Sequence, residues 1–121
     1  MAENTSGKVY DLEERTLKFA MRVNQYVNSL PKTISNIENG KQLTRSGGSV
    51  GANYIEANEA LSKKDFLMRI KICRKEAKES IFWLKLIEPT KDNLQEKSWL
   101  INEATELMKI FGSIVEKSGV S

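Results

Sequence analysis

The sequence has no histidine among its 121 residues. That removes the Ser-His and Cys-His dyads, the usual zinc ligand sets and the Glu-x-x-His di-iron pattern of helical bundles. A single cysteine excludes an internal disulfide framework. Cys73 falls in an apolar helical stripe, where a small buried hydrophobe is expected rather than a nucleophile. Two prolines and seven glycines leave few places to break a helix. Val, Ile and Thr do not gather in alternating runs, so no strand is predicted. The longest uninterrupted apolar run, Ile81–Leu84, is far too short to span a bilayer. The opening MAENTSGKVYDLEE is polar and acidic, unlike a signal peptide. These absences lead us to expect a cytoplasmic protein that is not an enzyme and uses neither metal nor other cofactor. Glu56 and Glu59, one helical turn apart, have the spacing of metal-binding carboxylates. A solvated edge facing Lys63 and Arg69 accounts for them more simply.

What is present is helical periodicity. Phe66, Ile70, Cys73, Ala77, Ser80, Leu84 and Ile87 recur at alternating steps of four and three and define one stripe. Ser62 followed by Asp65 resembles a capping box, and Glu88-Pro89 ends the segment. An earlier helix is predicted from Asp11 as N-cap, with Glu13 and Glu14 where the helix dipole favours negative charge. Its inner face is Leu12, Thr16, Phe19, Ala20, Val23, Tyr26, Val27 and Leu30. Residues 32–39 read either as a short helix or as the first turn of the next one. A final helix begins near Asp92-Asn93, with Asp92 and Gln95 as a second capping pair. Leu94, Ile101, Ala104, Met108, Phe111 and Val115 form its stripe, widened by Leu100, Leu107 and Ile114. Four helices of this length with short connections predict an all-α, antiparallel up-down-up-down four-helix bundle over residues 11–117. Residues 1–10 and 118–121 are expected to be disordered tails.

The second helix carries the oddest segment, Arg45-Ser46-Gly47-Gly48-Ser49-Val50-Gly51-Ala52-Asn53. Three glycines disfavour a helix by about 1 kcal/mol each relative to alanine. A phosphate-cradling loop does not fit, because no Gly-Lys-Ser/Thr, preceding strand or dinucleotide fingerprint accompanies them. The four-residue spacing of Gly47 with Gly51, and of Gly48 with Ala52, instead suits close approach of a neighbouring helix. Leu43, Val50, Tyr54, Ala57 and Leu61 continue an inner face. Asn53 lies beside that face, as a buried amide that fixes register.

The stretch QLTRSGGSVGANYIEANEALSKKDFLMRIKICRKEAKESIFWLKLI resembles the four-helix bundle family encoded by intervening sequences in bacterial 23S rRNA genes, often labelled ribosomal-protein-like. The residues that carry the resemblance are Arg45-Ser46-Gly47, Ser49-Val50-Gly51-Ala52-Asn53, Glu56-Ala57, Ser62-Lys63-Lys64-Asp65-Phe66, Lys75-Glu76-Ala77-Lys78-Glu79-Ser80 and Trp83-Leu84. They cover the second and third helices; the other two match by length and pattern. Gly48 and Tyr54 depart from the pattern locally. The resemblance implies an antiparallel bundle that assembles into a ring of five subunits. It is similar, more distantly, to accessory proteins of diversity-generating retroelements, which bind nucleic acid and a reverse transcriptase.

Charge adds a second signal. Residues 62–88 hold eight basic and four acidic side chains, while the rest of the chain is close to neutral. Lys64, Lys71, Lys78 and Lys85 repeat every seven residues in one stripe, with Arg74 and Lys75 beside it. Such a stripe suits phosphate backbones of RNA or DNA, and a ring would concentrate its field. A solvated face laced by Glu76 and Glu79 is the competing reading. No aromatic is expected among the lysines, which argues against base stacking. In a hairpin turning at residues 60–62, Arg45 faces Glu76–Ser80 and is expected to pair with Glu76 or Glu79. Asn53 faces Arg69–Cys73. Arg45, Ser46, Gly47, Gly51, Asn53, Glu76 and Glu79 are thus assigned to a structural motif. Met68, Ile72, Phe82, Trp83 and Leu86 lie off the inner stripe and are expected at a subunit interface. A covering of Phe82 and Trp83 by Trp99 and residues 91–94 is the alternative. Two functions remain open: a nucleic-acid-binding homo-oligomer, or a protein-interaction scaffold with a protein partner.

Overall fold

A computed structural model describes residues 12–118. The expected tail 1–10, the Asp11 cap and the last three residues lie outside the described residues. Four helices follow one another: α1 (Leu12–Asn28), α2 (Ile34–Asn58), α3 (Lys63–Leu86) and α4 (Leu94–Lys117), the last preceded by a single 3-10 turn, Lys91–Asn93. Local chemistry sets most of the boundaries. Leu30-Pro31 stops the chain after α1. Thr33 caps α2, its hydroxyl accepting from the Asn36 amide at 3.1 Å. Residues 34–39 are therefore the first turns of α2 and not a separate helix. Ser62 caps α3 in the same way, accepting from the Asp65 amide at 3.0 Å. No side-chain cap forms at α4, so the expected Asp92–Gln95 pair does not act; the 3-10 turn leads in instead.

Cross-helix contacts fix the direction of every neighbour. Thr16 approaches Gly51, Val23 approaches Gly47 and Val27 approaches Gly40, so α1 and α2 are antiparallel. Arg69 bonds Asn53, Ser80 bonds Ser46 and Glu88 bonds Asn36, so α2 and α3 are antiparallel with a regular register. Arg74 lies over Gly112, and Lys97 reaches the Lys85 and Ile87 carbonyls, which reverses α4 on α3. Arg15 meets Glu103 and Arg22 meets Glu96, which closes α4 against α1. The result is an all-α bundle of four helices in up-down-up-down order.

The core runs the length of the bundle. Phe19, Val23, Leu43, Val50, Ile70, Cys73, Ala77, Leu84, Leu100, Ala104, Leu107 and Phe111 are fully enclosed. Each large side chain so buried contributes roughly 1.5–3 kcal/mol by area. The stripes shift slightly from expectation. On α3, Leu67 is buried while Phe66 is only partly so, and Glu76 joins the inner face. On α4 the centre moves to Leu100, Leu107 and Phe111, and Leu94 is exposed. Leu61 does not extend the α2 face: it stands in the turn after α2 and is 99% exposed. Asn58 is the last residue of α2, so the period that placed Leu61 inward no longer applies.

The glycines divide. A methyl group at Gly51 would lie 2.9 Å from Thr16 Oγ1, and one at Gly47 would lie 3.2 Å from Val23 Cγ1. These two, with Gly40 against Val27, let α1 settle on α2. A methyl group at Gly48 would have nothing within 4 Å among the described residues, and Ala52 is exposed, so that pair faces outward and takes no part in the approach.

Candidate nucleic-acid interface

Helix α3 buries one side in the bundle and turns the other to solvent. On the solvent side stand Lys64, Lys71, Arg74, Lys75, Lys78 and Lys85, all exposed. With a rise of 1.5 Å per residue, lysines seven apart are about 10.5 Å apart, and the four of the repeat span about 31 Å. Two shallow recesses lie along the α3–α4 edge. Lys71, Arg74, Lys75, Lys78 and Met108 border the first. The second shares Lys75, Lys78 and Met108 and adds Ile81, Phe82, Lys85 and Glu79. Together they make one groove with cationic rims and an apolar floor.

Four carboxylates of α3 and α4 are engaged by arginines outside this face. Glu103 takes a two-point bond from Arg15, at 2.7 and 3.0 Å. Glu96 takes another from Arg22, with Nε at 2.9 Å. The hydrogen bond to Glu103 raises the Arg15 pKa, and the bond from Arg22 lowers that of Glu96. Arg22 also lies 3.5 Å above the centre of the Trp99 ring. Trp99 thus takes its cationic contact from α1. On the other flank, Arg45 Nη2 lies 3.5 Å from Glu76 and 3.3 Å from Glu79. Among the described residues, no salt bridge involves any of the six cations of the groove.

The motif residues of α2 serve the α2–α3 contact. Ser46 and Ser80 hydroxyls are 2.8 Å apart in full burial, and Ser80 also donates to the Glu76 carbonyl at 2.9 Å. Asn53 donates to the Ser49 carbonyl and accepts from Arg69 Nη1 at 3.1 Å; it is half-buried rather than enclosed. Glu76 is buried and Arg45 half-exposed, so the ion pair straddles the edge of the interface. One further polar residue does not follow from pattern alone. Asn36 is buried and bridges the Pro31 and Glu88 carbonyls at 3.0 Å each, while accepting from the Glu88 amide at 3.3 Å. It interrupts the apolar periodicity, and only its partners explain it. Thr16, expected on the inner face of α1, is buried there with its hydroxyl donating to the Leu12 carbonyl at 2.7 Å.

The apolar groups off the inner stripe are where the spacing puts them. Met68, Phe82 and Leu86 are each about half exposed, and Ile72 and Trp83 are partly covered. Phe82 and Trp83 meet edge to face, 4.9 Å between centroids at 77°. Phe82 stands between Lys78 and Lys85 and shares their recess, so an aromatic is interleaved in the lysine stripe after all. Positions 78, 82 and 85 are separated by four and three, which is one helical face; the linear seven-residue count of lysines hides it.

Cys73 is enclosed in the core, and burial pushes its thiol up to about 12. Among the described residues, no group of three or more acidic or cysteine side chains could hold a metal ion. Glu56 and Glu59 are both exposed. No described helix is long and apolar enough to cross a membrane.

Fold and surface together define an antiparallel four-helix bundle with one cationic helix face and no metal-holding cluster among the described residues. The chain belongs to the 23S rRNA-intervening sequence protein family, whose model matches residues 8–113. Among solved structures it is similar to a protein of unknown function from the S23 ribosomal protein family of Bacteroides thetaiotaomicron VPI-5482. The two are 32% identical, the match covers 87% of this chain and 95% of that one, and the TM-score is 0.74. Comparison with curated proteins gives no match.

Proposed function

We propose that this protein is a non-enzymatic, cytoplasmic, homo-oligomeric bundle that binds RNA or DNA along α3, through backbone phosphates and without strong sequence preference. The observation that carries the reading is the segregation of charge. Six cations share one exposed face, while Glu76, Glu79, Glu96 and Glu103 are engaged by arginines outside it. A continuous cationic groove of this kind attracts a polyanion by releasing its counterions. The more distant likeness to retroelement accessory proteins, which bind nucleic acid, supports the same reading. Filter binding with structured RNA and duplex DNA across a salt series tests it. Lys71→Glu with Lys78→Glu should weaken binding to every sequence and lower the salt slope by about two, one for each phosphate no longer neutralised. Absence of any salt-sensitive binding by the unaltered protein would return the molecule to the scaffold class.

The homo-oligomeric part of this proposal has its own observation. Met68, Ile72, Trp83 and Leu86 form an apolar band on the α2 side of the lysines, with Phe82 at the border. Such a band suits self-association, and the family resemblance makes a ring of five the expected assembly. Light scattering decides it: a mass near one subunit at micromolar concentration would remove the ring.

A further inference from the structure

We propose that the α3–α4 groove takes a single-stranded segment of nucleic acid, with Phe82 as the platform on which a base stacks. The inference rests on the nucleic-acid reading above and sharpens it from any polyanion to an unpaired strand.

Four observations lead there. Phe82 is 57% exposed, a large aromatic surface left in water on a helix whose inner face is well packed. It does not stand apart from the cations: Lys75, Lys78 and Lys85 border the same recess, with Ile81 and Met108 as its floor. Glu79, the one acid at that rim, is turned to Arg45 at 3.3 Å. The ring is also held. Trp83 meets it edge to face at 4.9 Å, so the platform is oriented before any strand arrives and less ordering is needed on binding.

The chemistry separates the two forms of nucleic acid. A duplex offers phosphates to the lysines but keeps its base faces stacked internally, and Phe82 then has nothing to meet. An unpaired strand offers phosphates and free π-faces at once. A basic groove with an aromatic in its path is the usual composition of single-strand sites, and it tolerates any base because every base has a face to stack. Met108, polarizable and flexible, suits the edge of such a face. The recess next along the groove, bordered by Lys71, Arg74, Lys75 and Lys78, continues the cationic track without an aromatic. One stacked base and a run of phosphate contacts on one side of it is therefore the expected footprint.

The test uses the full chain and labelled oligonucleotides of equal length, one single-stranded oligo-dT and one mixed-sequence duplex, with fluorescence anisotropy at two salt concentrations. Phe82→Ala, Phe82→Trp and the Lys75→Glu/Lys78→Glu pair are compared with the unaltered protein. Circular dichroism confirms the fold and light scattering the mass of each. Phe82→Ala should lose about 5- to 150-fold in single-strand affinity and change duplex affinity by less than about twofold. Phe82→Trp should retain or improve single-strand binding. The lysine pair should weaken both ligands. If Phe82→Ala binds the single strand as the unaltered protein does, the platform is refuted while the phosphate-binding reading survives. If neither ligand binds in a salt-sensitive way, the underlying reading fails and this one with it. If Phe82→Ala changes the mass of the assembly, Phe82 is seated against a second copy of the chain, and the platform is overturned in favour of an interface.

Discussion

Adding one methyl group at Gly48, Gly47 or Gly51 should produce three different results from one chemical change. All three glycines lie inside α2, so each Gly→Ala substitution gains up to about 1 kcal/mol of helix propensity. That gain cancels in comparison, and what remains is the space around the new Cβ. At Gly48 nothing lies within 4 Å, so Gly48→Ala should stabilise by close to the full amount. At Gly47 the methyl would meet two Val23 methyls at 3.2 and 3.3 Å, contacts that a shift of a few tenths of an ångström relieves. At Gly51 it would lie 2.9 Å from Thr16 Oγ1 and 3.1 Å from Thr16 Cβ. Thr16 cannot swing aside cheaply. It is enclosed, and its hydroxyl is tied to the Leu12 carbonyl at 2.7 Å and the Glu13 carbonyl at 3.1 Å. Either those bonds break or α1 moves off α2. Overpacking of this kind costs about 1–3 kcal/mol, so Gly51→Ala should fall below Gly48→Ala by about that amount. Urea denaturation followed by far-UV circular dichroism measures the difference, with light scattering on each variant to separate folding from assembly. The order should be Gly48→Ala, then Gly47→Ala, then Gly51→Ala. Gly51→Ala as stable as Gly48→Ala would refute the close approach of α1.

Asn36→Ala should cost about 1–3 kcal/mol in the same assay, because the Glu88 carbonyl and amide at the bundle end lose their partner, while the Pro31 carbonyl keeps the Thr33 amide at 2.9 Å; a loss under about 0.5 kcal/mol would show that water replaces it. Tyr26→Phe should be neutral or stabilising by up to about 1 kcal/mol, since the buried hydroxyl has no hydrogen-bond partner among the described residues; a clear loss in urea titration would mean that the hydroxyl is satisfied in solution. Alkali should destabilise the fold in a defined window. Burial raises Cys73 from 9.0 and Tyr26 from 10.0, each to about 12, so the unfolded chain ionises first. Their contribution is complete below about pH 9 and is lost as pH rises towards 12. Thermal melts of Cys73→Ala with Tyr26→Phe should decline less across that window than those of the unaltered protein. At the acid end, the Arg22 bond lowers the pKa of Glu96, so its contribution is present above the ordinary 4.5 and disappears as pH falls through the lower folded value. Arg22→Met should flatten that part of the melting profile.

The amino-acid order by itself determined the helices, their sequence and the register of the central hairpin. Ser62 and Pro89 bracket α3, a turn at residues 60–62 sets Arg45 against Glu76 and Glu79, and the three-four spacing from Ile70 to Leu84 marks a buried side. These are local rules of capping and periodicity, and they operate within a few residues. What the order could not decide was how far each stripe reaches and which neighbour each face meets. Leu61 keeps the period of α2 but stands beyond its end, and Phe66 yields the inner place to Leu67. Gly47 and Gly51 meet α1 while Gly48 and Ala52 meet nothing, although both pairs have the same spacing; only the position of a second helix tells them apart. The charge of α3 was countable from its letters. Its isolation was not, because that depends on Arg15, Arg22 and Arg45 engaging carboxylates 31 to 88 residues away in the chain. Phe82 belongs to the lysine groove for the same reason. The angle of one helix face, and the presence of Met108 from α4 beside it, are properties of packing, where contacts between distant residues select among faces that local sequence leaves equivalent.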